Sequence, residues 1–184
     1  MDILRTKDKG FKARLSEITK RGEEDTSRVE AVVREILDNI KKRGDGALKE
    51  YTKKFDNVVI KGSIEVSRRE INAALKKISK KDLEILKLSA ERIKDFHSRQ
   101  LQNSWFTTEA DGTLLGQRVT PMTRVGIYVP GGKASYPSTV LMNAVPAKVA
   151  GVKEVIMVTP PGKDGIDPYV LAAADVAGVD KIYK

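Results

Sequence analysis

Apolar residues in the first hundred positions recur at the three- and four-residue spacing of amphipathic helices. The clearest stripe predicts a helix that ends at Gly44, and its members are Val29, Val32, Val33, Ile36, Leu37 and Ile40. A shorter helix is predicted after Asp45. Residues 67–70 have the serine–glutamate spacing of a capping box, and Ser79 is the predicted N-cap of a longer helix. We therefore expect residues 27–100 to be mainly helical, with short strand candidates at 58–60 and 64–66.

The pattern changes near Trp105, where β-prone residues replace the helical stripes. Segments 105–108 and 113–119 flank Asp111 and Gly112, a dipeptide typical of a two-residue hairpin turn. We expect a β-hairpin connector over residues 105–123. It would separate a helical N-terminal region, residues 1–104, from a third region that begins at residue 124.

Short apolar runs alternate with helical segments in the rest of the chain. Strands are predicted to begin near residues 124, 154 and 181, and helices to occupy 137–150 and 167–177. This repeat has the length of a β-α-β unit, so the strands should be parallel. The predicted fold class is therefore α/β: a helical N-terminal region plus an incomplete Rossmann-like parallel β-α-β-α-β half over residues 124–184.

No helix is predicted after the third strand of this half. Fully apolar parallel strands are normally covered on both faces. A three-stranded fragment instead leaves an open edge and an uncovered apolar face. We expect the chain to be truncated, or to have its remainder supplied by another polypeptide.

Composition narrows the class of protein. The chain has 184 residues, no cysteine and a single histidine, His97. The lack of cysteine excludes disulfides, iron–sulfur clusters and thiol nucleophiles, and one histidine cannot build a multi-histidine metal centre. No apolar run is long enough to span a membrane, and the N-terminus lacks the apolar core of a signal peptide. We expect a cytoplasmic protein that does not contact membranes.

The net charge of +9 raises the question of nucleic-acid binding. The excess of lysine and arginine lies in the first two-thirds of the chain, where it is interspersed with acidic residues. The densest basic clusters, residues 41–43 and 76–81, stand near predicted helix ends, where the helix dipole favours cations. No basic strand carries the aromatic residues that stack bases. A solvated lysine-rich surface is the favoured interpretation, and a basic nucleic-acid-binding protein is the alternative.

Ligands of open α/β sheets bind beyond the carboxyl ends of the strands, which here means residues 128–138 and 159–167. Gly131 and Gly132 would let the backbone approach a ligand closely. Pro137 would open a helix whose free N–H groups could receive an anion. An ordinary tight turn explains the same residues equally well, because neither a G-x-G-x-x-G fingerprint nor a Walker loop is present.

Two side chains have competing interpretations. Tyr128, at the end of a predicted strand, is either a core residue or a cofactor contact. His97 is either a general base or, as we favour, a structural histidine. Without a second histidine or any cysteine, no catalytic triad or activated nucleophile can be assembled.

Several segments together resemble histidinol dehydrogenases. The most specific block reads RVGIYVPGGKA over residues 124–134, followed by YPSTVLMN over 136–143 and TPP over 159–161. The likeness continues downstream to residue 184. It extends upstream to RGDG at 43–46 and YTKKFD at 51–56, so it covers essentially the whole chain.

The resemblance implies a zinc-requiring, NAD-dependent oxidoreductase that acts as an intertwined homodimer. Such an enzyme oxidises L-histidinol to L-histidine in two hydride transfers, the last step of histidine biosynthesis. The resemblance also implies that Tyr128 contacts NAD, with Gly131 and Gly132 in the adjoining loop.

The family's zinc ligands and its Glu-His acid/base pair lie downstream of the region that this chain resembles. The resemblance therefore assigns no catalytic and no metal-binding residue here, and we expect the chain by itself to be inactive. A non-catalytic nucleotide-binding module is the alternative function.

Overall fold

The structure is a computed structural model that describes residues 3–20, 27–131 and 134–184. It has two compact units, one ending at Tyr51 and one spanning Thr52–Lys184. The helices that begin in the first unit are α1 (Phe11–Lys20), α2 (Ser27–Arg43) and α3 (Asp45–Asp56). The second unit continues with α4 (Arg68–Leu75), α5 (Lys80–Ser98), β1 (Trp105–Thr108), β2 (Leu114–Gln117), β3 (Arg124–Tyr128), α6 (Pro137–Val149), β4 (Glu154–Val158), α7 (Pro168–Val176) and β5 (Lys181–Tyr183).

The break between α2 and α3 follows from one glycine. Gly44 has φ +57, a left-handed conformation that ends α2 where the apolar stripe predicted it. The side chains then tie the two helices together: Asn39 Nδ2 donates to the Tyr51 hydroxyl at 2.7 Å, and Arg43 pairs with Glu50 at 2.5 Å. The short helix α1 had no predicted counterpart.

The predicted caps of α4 and α5 are confirmed. The Glu70 N–H donates to Ser67 Oγ at 3.3 Å, and the Ser67 N–H donates back to Glu70 Oε2 at 2.8 Å, which completes the capping box. The Asp82 N–H donates to Ser79 Oγ at 3.0 Å and caps α5. Because Lys80 opens α5, the second basic cluster lies at a helix start rather than only at a helix end, and the dipole argument fails there.

Two details of the predicted strands are wrong. Residues 58–60 form no strand, and residues 64–66 contribute only an isolated antiparallel bridge, from Glu65 to Tyr183. Their β-branched side chains indicated a strand, but only the second segment meets a sheet edge with which it can pair.

The hairpin exists, but its turn is longer than predicted. β1 pairs antiparallel with β2, with Trp105 opposite Gln117 and Thr108 opposite Leu114. Gly112 has φ +87 and its N–H donates to the Glu109 carbonyl at 3.0 Å. The glycine thus occupies the left-handed position after a turn, as in longer hairpin loops, rather than the centre of a two-residue turn.

The three-stranded sheet is parallel in the order β3-β4-β5, as predicted, and the fold class is α/β. Alternate residues of its strands are buried: Val155 and Met157 are fully buried, whereas Val158 is 44% exposed and Tyr128 64% exposed. Helix α6 packs on β3 and β4, α7 packs beside α6, and α4 and α5 pack against this pair. One face of the sheet therefore carries the core. No described helix packs on the other face, which we call the bare face.

The two edges of the sheet differ from each other. At β5, the Val66 N–H donates to the Ile182 carbonyl and the Lys184 N–H donates to the Ile64 carbonyl, both at 2.8 Å. Residues 64–66 thus cover the β5 edge. The open edge is that of β3, which no other described strand pairs with.

Ion pairs join the amino ends of all three parallel strands. Glu154, which opens β4, accepts a hydrogen bond from Arg124 at the start of β3 and pairs with Lys181 at the start of β5, at 3.0 Å. The hydrogen bond from Arg124, reinforced by Lys181, lowers the pKa of Glu154. These contacts hold the three strands in register at their amino ends, opposite the loops that follow their carboxyl ends.

Glu154→Gln is expected to lower the urea midpoint of unfolding at neutral pH and to matter less in acid. A lowered folded-state pKa means that the stabilisation is present above the ordinary value of 4.5 and is lost as the pH falls through the lowered value. The urea midpoints of Glu154→Gln and of the parent protein should therefore differ at about pH 7 and approach each other at about pH 3. Glu84→Gln, which removes a pair with Lys87 inside α5, is the charge-matched control and should cost less. An equal gap at both pH values would contradict the prediction.

Candidate functional site

The carboxyl ends of β3 and β4 border an open groove of about 680 Å³, a volume within the range of small-molecule sites. Pro130, Gly131 and Ser135 line it from the loop after β3, and Thr159 and Pro160 line it from the loop after β4. The groove lies at the edge that the sequence predicted for a ligand.

Backbone pairing brings the two loops to the same level of the sheet. The Val129 N–H donates to the Val158 carbonyl at 2.9 Å, which extends the ladder one residue beyond β3. The Thr159 N–H donates to the Tyr183 carbonyl at 3.1 Å, which does the same beyond β4. Val129 and Thr159 are both buried, and each is followed by a proline, Pro130 or Pro160, which has no N–H to continue the ladder.

Gly131 is required by the neighbouring loop. A Cβ at this position would lie 2.5 Å from the Pro160 carbonyl oxygen, closer than real Cβ contacts. The absent side chain is thus explained by packing between the two loops, whether or not a ligand approaches. Gly132 and Lys133 lie outside the described residues, so the prediction for Gly132 is not addressed by the structure.

The two helices that begin at the groove have different N-termini. Helix α7 is capped by Asp167, whose carboxylate accepts from the Tyr169 N–H at 2.7 Å and the Val170 N–H at 3.4 Å. Helix α6 starts at Pro137, and its N-cap Tyr136 makes no side-chain hydrogen bond to the first turn. The start of α6 therefore keeps the positive end of its dipole available to an anion, and α7 does not.

Tyr128 lies on the bare face of the sheet, directly before the loop that lines the groove. It is 64% exposed and stands opposite Val158 in the β3–β4 register, so it is not a core residue. Its ring does not line the groove itself. Tyr128 and Gly131 are thus three residues apart in sequence, but Tyr128 lies on the exposed face of the sheet and Gly131 lines the groove.

His97 is away from this edge. It lies on α5, with Nδ1 2.6 Å from Gln100 Oε1, and is not among the groove-lining residues. The contact with Gln100 supports the structural interpretation of this histidine.

Zinc does not fit the described part of the chain. Within residues 3–20, 27–131 and 134–184, no three or more His, Cys, Asp and Glu side chains are grouped closely enough to hold a metal ion. A zinc site needs three or four such ligands, usually with nitrogen or sulfur donors.

Among the described helices, none has the length and apolar character needed to cross a membrane.

Sequence reasoning named the second loop, residues 159–167, as part of the ligand edge but singled out no residue within it. Pro160 and Thr159 follow β4 at the position where Pro130 and Val129 follow β3. The repeated strand–Pro pattern was visible in the sequence, but the close approach of Gly131 to Pro160 depends on the register of the parallel pair.

The chain is similar over most of its length to histidinol dehydrogenases. The family model for histidinol dehydrogenase matches residues 19–184. The histidinol dehydrogenase of Syntrophotalea carbinolica is 50% identical across 100% of this chain and 43% of its own length. That of Hydrogenovibrio crunogenus is 51% identical across 95% of this chain and 41% of its own length.

A solved structure shares the fold. The crystal structure of histidinol dehydrogenase from Elizabethkingia anophelis, 36% identical in sequence, superposes with a TM-score of 0.80 over 88% of this chain and 36% of that chain. This chain therefore spans about two fifths of the length of the curated relatives it matches.

Proposed function

Because this chain belongs to the histidinol dehydrogenase family and matches the N-terminal part of its relatives, we propose that it carries the NAD-binding edge of an enzyme that oxidises L-histidinol to L-histidine. The observation that carries the proposal is the groove at the carboxyl ends of β3 and β4, with the exposed Tyr128 beside it. Dinucleotides bind at this edge in doubly wound α/β folds.

Three features of the edge suit a dinucleotide. The start of α6 has no side-chain cap, so the positive end of its dipole can interact with a phosphate oxygen. The ring of Tyr128 presents an open face on which a planar base can stack. Gly131 keeps the two loops in contact, which shapes the groove floor. When bound, NAD supplies the hydride acceptor, and the residues of this chain bind and orient it.

Since the described residues offer no metal site, we assign no step to zinc in this chain. For the whole enzyme we propose, from the family alone, a zinc requirement, assembly as a homodimer and a cytoplasmic location.

The alternative function is a nucleotide-binding module without catalysis, which the same groove would support. The two alternatives differ in whether addition of a polypeptide that carries the rest of a relative's length produces histidinol oxidation. A nucleic-acid-binding role would instead show steeply salt-dependent DNA affinity.

Tyr128→Ala is expected to weaken NAD binding to the chain by about fivefold or more, since stacking of a base on an aromatic ring contributes about 1–3 kcal/mol. Isothermal titration with NAD measures the effect. Tyr128→Phe keeps the ring and should stay within about threefold of the parent if stacking dominates. The melting temperature should hardly change, because the side chain is mostly exposed.

Phe96→Ala is the matched control, since Phe96 is a comparably exposed aromatic residue on α5. Equal losses of NAD affinity in Tyr128→Ala and Phe96→Ala would contradict the assignment. So would an unchanged NAD affinity in Tyr128→Ala, and the proposed cofactor edge would then have to lie elsewhere.

A further inference from the structure

A second cavity, of about 320 Å³, adjoins the groove through the shared loop at residues 161–166. Its walls come from α4, from the start of α7 and from the irregular segment 58–61. The side chains of Val66, Ala74 and Leu171 are buried and line it, so this part of the wall is apolar. None of these three residues belongs to the proposed NAD-binding edge.

The rim of the cavity is cationic. Its charged residues are Lys61, Lys77, Lys163, Lys184, Glu70 and Asp164. The charge of Glu70 is already engaged, because its carboxylate accepts from Lys184 Nζ at 2.5 Å and from the Ser67 N–H at 2.8 Å. The contact with Lys184 lowers the pKa of Glu70, so this pair stays ionised and mutually neutralised. Three lysines then face one aspartate around the opening.

The backbone fixes one side of this rim. Segment 58–61 runs between Asn57, with φ +55, and Gly62, with φ +83. Glycine and asparagine are the residues that adopt this conformation most readily, so both suit the turns that bound the segment. Val58 and Ile60 are half-buried against the cavity, whereas the alternate residue Lys61 is exposed at its rim. The segment thus holds a cation beside an apolar wall.

We propose that this cavity binds a small organic anion, whose apolar body packs on Val66, Ala74 and Leu171 and whose carboxylate or phosphate group pairs with Lys61 and Lys77. An inorganic anion would leave the apolar wall in contact with water, and a neutral apolar molecule would leave the lysines without a partner. The proposal is independent of NAD binding at the groove, because a chain that fails to bind NAD still presents this cavity.

The test uses four probes on the isotopically labelled 184-residue chain, followed by amide chemical shifts. Phenyl phosphate and benzoate combine an apolar body with an anion, inorganic phosphate lacks the body, and benzyl alcohol lacks the charge. We expect phenyl phosphate or benzoate to shift amides around the cavity, at residues 58–61 and 73–77, and to bind about tenfold more tightly than either control probe. Whichever of the two binds more tightly identifies the preferred anionic group.

Two sets of variants make the test specific. The double variant Lys61→Gln/Lys77→Gln should weaken binding of the preferred probe by about tenfold, as expected for loss of charge-assisted contacts. Lys80→Gln/Lys81→Gln removes the same charge at the start of α5, outside the cavity lining, and should change it by less than about twofold. Ala73→Phe fills the cavity from an exposed position of α4 and should abolish the amide shifts.

Three results would overturn the proposal. Benzyl alcohol binding as tightly as the anions would show that charge plays no part. Equal losses in the two lysine double variants would show a diffuse effect of net charge. Retained binding in Ala73→Phe, with folding checked by circular dichroism, would place the probe outside the cavity.

Discussion

The purified 184-residue chain, mixed with NAD, L-histidinol and Zn²⁺, is expected to produce no steady rise in NADH absorbance. Zinc sites are usually built from histidine and cysteine, and the chain has one histidine and no cysteine. Carboxylates alone favour harder cations. The described residues also contain no acidic cluster that could substitute.

The only histidine of the chain does not lie where it could accept the alcohol proton at the groove. His97 lies on α5, in contact with Gln100, and does not line the groove. In catalytic units that act together, a partial set of groups performs little better than none, and losses of several orders of magnitude are typical. Rates at the level of the uncatalysed reaction are therefore expected, even if NAD binds.

The assay should be run on protein made in a host that lacks its own histidinol dehydrogenase, with a full-length relative as the positive control. His97→Ala is the informative variant, because it removes the only imidazole. Turnover that survives repurification and disappears in His97→Ala would overturn both the expected inactivity and the structural interpretation of His97.

Met157→Ala is expected to destabilise the chain by about 2–5 kcal/mol, the usual cost of truncating a fully buried large side chain. Met157 is completely buried on the face of β4 that carries α6 and the rest of the core. Val158, the next residue, is 44% exposed on the bare face. Val158→Ala should therefore cost less than about 1 kcal/mol.

The two variants form a matched pair, because they occupy adjacent positions of one strand and differ mainly in the face to which they belong. Urea unfolding monitored by circular dichroism gives both free energies, and a similar slope is expected for the two. A cost for Val158→Ala equal to that of Met157→Ala would mean that the second face is also covered in solution, for example by association of chains. Dilution would then reduce the stability of the parent protein.

Local signals predicted the elements accurately where the interactions are local. The capping box at residues 67–70 satisfies its donors within four residues, so its sequence spacing is sufficient to identify it. Gly44, Gly151 and Gly178 all have positive φ and follow helices whose ends the sequence predicted. The strand–helix alternation after residue 124 likewise predicted the parallel order of β3, β4 and β5.

Predictions failed where the outcome depends on partners distant in sequence. Segments 58–60 and 64–66 have similar β propensity, but only the second reaches the edge of β5, more than a hundred residues away. For Gly131 the sequence left close approach of a ligand and an ordinary tight turn equally open, and only the structure shows the Pro160 carbonyl in the space of the missing side chain. Propensity describes the local backbone and carries no information about which edge or loop lies opposite.

By itself, the sequence determined the fold class, the family resemblance and Tyr128 as a candidate contact. The first two depend on periodicity and motif spacing, which are properties of the chain in one dimension. Tertiary structure decided that Tyr128 is exposed, that α6 rather than α7 has the uncapped start, and that a lysine-rimmed cavity adjoins the groove. These features arise from the register of parallel strands and the packing of helices on one face, which bring together residues that no sequence window contains.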